Sequence, residues 1–416
     1  MGHELGDRGA SEGKVATTSV RALYIHVPFC SSRCLYCDFD SRACRDAARF
    51  DAYVAHMVAC INRLREAGVL DACRTAYIGG GTPSVLGAGL VSLVESVRRA
   101  APCIEEFSCE ANPESFTSDL ALALRTAGAT RVSLGVQSFD NGELHALGRL
   151  HDAERARCAV RAAQEAGLDV SIDLMCGIPL QTQESWNATL GAALALGVKH
   201  VSVYPLAIEE GTPLARKVAR GAIPEPDEDV QAWCMETARC RLRDAGLVPY
   251  EVASYAAPGH ACRHNIAYWT GVSYLGLGRS AASMLDRESY DALARVLGLP
   301  AVPDDGAARL RFVQTTDELP GTGQPRYELE ALSEREAVAE DLMLGMRMSR
   351  GVGEDLLAQA RTIVGAGQVD RAVDEALSRG LARWVEAESE RRLAPTHDGW
   401  LLGNELYGLM WDLGAC

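Results

Sequence analysis

No stretch of about 18 uncharged apolar residues occurs in this chain, so no membrane-spanning helix is expected. The first twenty residues, "MGHELGDRGASEGKVATTSV", lack the apolar core that an export leader requires. Basic charge is also short. Lys and Arg number 41 against 56 Asp and Glu, a formal net charge of −15, and this argues against nucleic acid as a partner because phosphate binding needs a basic face. Absent too is the cysteine layout of a small secreted framework, since the 14 cysteines are scattered over 416 residues. These absences predict a cytoplasmic protein with reduced thiols. What is there is ordinary globular material, 48% hydrophobic and 23% charged, long enough for two or three units or one barrel with appendages.

One stretch breaks the scatter. In "HVPFCSSRCLYCDF" (26–39), Cys30, Cys34 and Cys37 occupy eight positions. Disulfides are a poor account, because three is odd and neighbouring turns strain such bridges. Zinc is chemically open, although its structural sites use a second pair elsewhere. An iron–sulfur cluster wants thiolates from one tight loop, normally four, so three would leave a metal position open. The other eleven cysteines read as small buried hydrophobes.

From residue 22 to about 255, short β-rich runs alternate with amphipathic helical patterns. The runs are "ALYIHV" (22–27), "TAYIGG" (75–80), "EFSCEA" (106–111), "RVSLGV" (131–136), "VSIDLM" (170–175), "HVSVYP" (200–205) and "VPYEVA" (248–253). Strand, helix, strand, so repeated, calls for an α/β fold with a parallel sheet and helices outside, an open doubly wound sheet or a full or partial TIM-like barrel. Cys30, Gly79 to Thr82, Glu110 to Pro113, Gln137 and Asp173 all follow or close a strand. That placement favours the barrel, whose carboxyl-end rim is where ligands bind. "LPAVPDDGAA" and "ELPGTGQP" read as loops or edge strands, and residues beyond about 330 as two or three helices followed by a short hairpin-like piece. Asp173, set between "SI" and "LM", would cost several kcal/mol if buried without a partner.

The CxxxCxxC spacing directly after the first predicted strand resembles the radical SAM superfamily. "YIHVPFC", "GGGTPS" (79–84), "CEANPES" (109–115), "GVQSFDNGELHALGRLH" and "SIDLMCGIP" are similar, in the same order, to the oxygen-independent coproporphyrinogen III oxidase family. The resemblance implies a partial TIM-like (β/α)6 barrel with added strands and a small, mainly helical, winged-helix-like C-terminal domain. It implies that Cys30, Cys34 and Cys37 hold a 4Fe–4S cluster whose fourth iron is chelated by S-adenosylmethionine. It further implies contacts to that cofactor from Tyr24, Gly80, Gly81, Thr82, Glu110, Gln137, Arg149 and Asp173, the last accepting ribose hydroxyls. Reductive cleavage to a 5'-deoxyadenosyl radical is the chemistry such a site supports.

Within that family the oxidases carry a fourth cysteine two positions after the third; here Phe39 stands there, after Asp38. "CDF", "CRHNIAYW" (262–269), "YLGLGRSAAS" and "GWLLGNELY" resemble the HemW branch, whose members look like haem chaperones. His264, with Asn265, Tyr268 and Trp269, matches the branch's HNxxYW motif, so the resemblance implies haem as a further cofactor with His264 as its axial ligand; His260 and Cys262 are chemical alternatives, and Cys44 is a remote candidate for a fourth cluster ligand. The implied partners are haem and a recipient haem protein or a membrane-associated donor, and an oligomer is compatible with the sequence. Whether the chain is an enzyme stays open, with an oxygen-independent coproporphyrinogen III dehydrogenase as the alternative to a chaperone. The expected organisation is a flexible tail (1–20), a radical SAM barrel (21–255), an extension bearing HNxxYW (256–329) and a C-terminal helical domain (330–416).

Overall fold

The computed structural model describes residues 19–303, 306–316, 325–387 and 390–415, so the expected tail lies almost wholly outside the described residues. Six strands stand side by side in chain order, all parallel: β1 (Ala22–Val27), β2 (Thr75–Gly80), β3 (Glu106–Ala111), β4 (Arg131–Gln137), β5 (Asp169–Cys176) and β6 (His200–Pro205). Their runs are apolar on both faces because helices cover one side and the strands pack on each other within. Leu23, Ile78, Phe107, Leu134, Ile172 and Val201 are all fully buried. Between strands the helices bury one stripe each. Ala47–Glu66, for example, buries Tyr53, Met57, Cys60, Ile61 and Leu64, a three- and four-residue spacing, and starts where the Asp46 side chain accepts the Ala48 N–H.

The barrel does not close. Beside β1, Tyr274–Leu277 adds a seventh parallel strand, followed by antiparallel Ala282–Leu285, Arg309–Gln314 and Tyr327–Leu332. Beside β6 the expected strand over 248–253 is not formed. Only Val248–Pro249 and Ser254–Ala256 are extended, and the latter runs antiparallel to β6 with Tyr255 opposite Val201. The residues between are drawn to the C-terminal unit, where the Ser349 N–H donates to the Tyr250 carbonyl and Glu251 bridges Met348. The fold is therefore α/β, a partial (β/α)6 barrel with added strands. Of the two predicted loop segments near 295–325, the described residues of the first are irregular and most of "ELPGTGQP" falls outside the described residues.

The C-terminal unit is mainly helical and winged-helix-like. Glu334–Gly345, Glu354–Ala360 and Ala366–Ser378 precede a hairpin of Ala382–Ala387 and Glu390–Pro395. The hairpin thus comes before the closing segment rather than in it: "GWLLGNELYGLMW" forms the helices His397–Leu401 and Gly403–Trp411, because Leu406 and Met410 recur at helical spacing into the core. Among the described residues the two larger apolar clusters, one running from Val20 to Phe312 and one from Val338 to Leu413, are separate, and a small third one around Leu147 and Leu214 lies within the barrel; this leads us to propose a unit boundary near residue 330, with 21–255 and 256–329 sharing the first core. No described helix is long and apolar enough to cross a membrane. Seven of the cysteines outside the opening trio are buried as expected, whereas Cys158 and Cys240 are exposed on helix faces.

Candidate cofactor site at the barrel rim

After β1 the chain makes a loop that folds back on itself. Phe29–Cys30 pairs with Arg42–Ala43, and the Cys44 N–H donates to the Cys30 carbonyl at 2.9 Å. The loop is fastened elsewhere as well. Leu35 donates its N–H to Leu147 (3.0 Å) and accepts that of Leu214 (2.8 Å); the Asp40 carboxylate accepts from Ser280 and from Arg279 Nε (2.6 Å), while the Asp40 carbonyl lies 2.9 Å from His26 Nε2. So anchored, Cys30, Cys34 and Cys37 line one cavity of about 270 Å³. Among the described residues, no three His, Cys, Asp or Glu side chains converge closely enough to hold a single metal ion. Three thiols around a shared space suit a polynuclear cluster better than a lone zinc. Burial, together with the adjacent Cys34 and Cys30, pushes the Cys37 thiol up to about 11. A cationic centre is what a thiol so placed needs to ionise.

The Gly-rich loop after β2 meets the cysteine loop backbone first. Gly80 has φ +112°, and a Cβ there would fall 2.7 Å from the His26 ring; at Gly81 it would fall 2.6 Å from the Phe29 carbonyl oxygen and 3.0 Å from Cys30 Sγ. No other residue fits either position. Next to them Thr82 Oγ1 donates towards Cys30 Sγ (3.5 Å) and accepts from Asn112 Nδ2 (3.0 Å). Asn112 Oδ1 in turn accepts from Arg149 Nη2 at 2.7 Å, and Arg149 Nη1 donates to Cys34 Sγ at 3.3 Å. One polar chain thus links two of the thiols. Arg149 also donates to the Gly135 carbonyl (2.6 Å), and its buried Nε has no hydrogen-bond partner among the described residues. That donor is one the protein does not satisfy by itself.

Two carboxylates complete the wall. Glu110, at the tip of β3, accepts from the Tyr77 hydroxyl (2.9 Å) and the Gly80 N–H (3.0 Å); burial, with Asp173 adding to it, raises its pKa to about 7. Asp173 on β5 is pushed up to about 6 by burial, opposed by bonds from Ser202 and Ser133. Gln137 ends β4 at a register shift with φ +67°, a left-handed conformation that costs a non-glycine residue on the order of 1 kcal/mol and clusters at functional sites.

The structure therefore brings Gly80, Gly81, Thr82, Glu110, Gln137, Arg149 and Asp173 to the same cavity as the three cysteines. It does not bring Tyr24 there. That hydroxyl meets His26 Nδ1 at 3.1 Å and its ring stacks on Tyr77, so Tyr24 supports the loop from beneath. Tyr77 and Tyr204 were not singled out by the sequence, and Asn112 only as part of the Glu110 to Pro113 span. The Asn-Pro step after β3 could have pointed to Asn112, whereas Tyr77 and Tyr204 sit at strand positions that any aromatic could fill.

His264 is elsewhere and enclosed. It is 1% exposed, its Nδ1 lies 3.0 Å from Thr75 Oγ1, and its ring is stacked on Tyr77 (5.2 Å) and edge-on to Tyr268 (5.0 Å). Burial lowers its pKa to about 3, so the ring is neutral, and Nε2 has no partner among the described residues. The alternatives are engaged too: His260 Nδ1 faces Asp169 at 3.2 Å, and buried Cys262 lies 3.4 Å from Glu106.

Residues 24–193 match the family model of the radical SAM superfamily. The chain is 41% identical over 268 residues to the Heme chaperone HemW of Mycobacterium tuberculosis, covering 62% of this chain and 68% of that protein. The chain belongs to the HemW branch of the radical SAM superfamily. Its likeness to the Bacillus subtilis Heme chaperone HemW, 28% over 394 residues, covers 94% of this chain and 98% of the relative, so the branch's C-terminal unit is included. Among solved structures it is similar to the coproporphyrinogen III oxidase HemN of Escherichia coli (TM-score 0.74, 21% identity, 95% of this chain and 92% of that one), a shared fold. Membership of this superfamily implies a 4Fe–4S cluster and S-adenosylmethionine, and the cavity fits both: three thiols around one space, a side-chain-free loop beside them, and an unsatisfied guanidinium donor.

Proposed function

We propose that this protein is a haem chaperone of the HemW type, acting in the cytoplasm: it binds haem, keeps a 4Fe–4S cluster with S-adenosylmethionine, and passes haem to a recipient protein. The observation that carries this reading is the end-to-end likeness to a relative named for that role, together with Phe39, which is 59% exposed at the cavity's lip and offers no fourth thiol.

In this reading Cys30, Cys34 and Cys37 hold the cluster, and Arg149 and Thr82 donate to its sulfur ligands. The side-chain-free backbone at Gly80 and Gly81 leaves room for the methionyl end of the cofactor, Asp173 takes the ribose, and Glu110 and Gln137 complete its enclosure. When reduced, a cluster of this kind supplies the single electron that cleaves S-adenosylmethionine; the protein contributes orientation and exclusion of water. His264 is the side chain that would hold haem, and because its ring is sealed, the Arg263–Trp269 helix would have to open to expose Nε2. The test is a visible titration of anaerobically reconstituted protein. Haem should bind, His264→Ala should weaken it at unchanged iron and sulfide content, and coproporphyrinogen III should not be decarboxylated. Enzyme-like decarboxylation would overturn the reading in favour of an oxidase.

A further inference from the structure

Beside the cofactor cavity lies a larger space of about 1110 Å³, walled on one side by the barrel and its extension and on the other by the C-terminal unit. Tyr204, at the end of β6, lines both spaces. The two units are stitched together here, for Trp400 Nε1 donates to the Val252 carbonyl at 2.8 Å.

At this cleft Arg347 is held between two rings. Its guanidinium carbon is 5.3 Å from the centroid of Trp269, on the barrel side, and 4.7 Å from that of Tyr407, in the C-terminal unit. Its Nε is buried without a hydrogen-bond partner, and among the described residues no carboxylate pairs with it. Acids do line the cleft, but Glu228, Asp229 and Asp398 are exposed and solvated. Glu251 is buried, and its carboxylate accepts the Ala253 N–H. The protein thus fixes a planar cation in a large cleft, stacks it between aromatic rings, and among the described residues gives it no anion. A guanidinium fork matches a carboxylate in two parallel hydrogen bonds. The rings around it offer flat contact surface.

We propose that this cleft is a binding site for a planar aromatic ligand bearing carboxylates, and that Arg347 takes one of those carboxylates. On the chaperone reading above, on which this identification rests, the ligand is haem and the group is a propionate. The C-terminal unit then supplies half of the haem site. The competing account is that Arg347 only glues the two units by stacking.

The experiment uses the full chain, reconstituted with its cluster, and three probes: haem, haem dimethyl ester and metal-free protoporphyrin IX. Binding is read by absorbance and by quenching of tryptophan fluorescence, since Trp269 and Trp400 both line the cleft. Wild type should prefer haem to its ester by roughly tenfold or more, the usual worth of a charge-assisted hydrogen bond. Arg347→Gln should bring haem down to the level of the ester while leaving the ester unchanged, and Arg347→Lys should fall between. Protoporphyrin IX should show the same loss, because it keeps the carboxylates and lacks only iron. Equal affinity of wild type for haem and ester, or equal weakening of both in Arg347→Gln, overturns the cleft. Loss of haem in His264→Ala with Arg347→Gln unaffected overturns the cleft alone, whereas failure of wild type to bind either porphyrin overturns the chaperone reading with it.

Discussion

The barrel rim and the Arg263–Trp269 helix are both dense in chemically versatile residues, and the protein builds them in opposite ways. At the rim, thiols, carboxylates and a guanidinium face a common open space, held there by glycines that admit no side chain and by one strained glutamine. At the helix, an imidazole is packed between two tyrosines, hydrogen-bonded on one nitrogen and sealed on the other. The first site is shaped for its ligand in advance. The second is shaped for its own interior, so any ligand must compete with packing that already exists. Preorganisation at the rim should show as large all-or-none effects, and closure at the helix as modest, kinetic ones.

The largest expected effect lies at the rim. Replacing Cys30, Cys34 or Cys37 by alanine should take iron and acid-labile sulfide of the anaerobic protein to background, because among the described residues no other thiol lines the cavity; Cys44 is buried but does not line it. Retention of a full cluster in any of the three would end the claim that this loop is its anchor.

These two regions were unequally legible beforehand. Six strands and the rim residues could be read because parallel strands leave long apolar runs, and because Gly-rich and polar signals fall at their ends. Arg149 was read as a cofactor contact, yet its bond to Cys34 Sγ depends on a turn of chain that no local pattern encodes. The strand expected over 248–253 failed because its residues pair with a unit a hundred positions away. For the same reason the closure of His264 was invisible. Thr75 and Tyr77 belong to β2, and only the tertiary fold lays the helix over them.

Titration of the cluster-free protein sharpens the contrast, because the two regions carry opposite signs. Glu110 has its folded pKa raised from an ordinary carboxyl value to about 7, so the fold gains nothing from it below about pH 4.5 and loses stability as pH rises towards 7. Glu110→Gln should therefore stabilise the apoprotein by a few kcal/mol at pH 8 and by nothing at pH 4, while weakening S-adenosylmethionine binding. His264 has its folded pKa lowered to about 3, so its cost appears only as pH falls below about 6.5, when the unfolded chain takes up a proton. His264→Asn should relieve roughly 2 kcal/mol of that cost at pH 5 and none at pH 8. Urea unfolding at the three pH values reads both. Parallel pH profiles for the two variants would show that the regions are not built oppositely.

The smallest effect tests closure itself. Thr75 holds His264 Nδ1 at 3.0 Å, and Thr75→Val removes that bond without touching the rim. A buried neutral hydrogen bond of this kind is worth about 1 kcal/mol, which should appear as a small fall in stability. If haem reaches His264 only through an opened state, the same free energy raises the population of that state roughly fivefold. Stopped-flow mixing should then show haem association faster by about that factor, with iron and sulfide content unchanged. A variant that is less stable but takes up haem at the wild-type rate would mean that the imidazole is reached without opening, and that the sealed helix is packing rather than a gate.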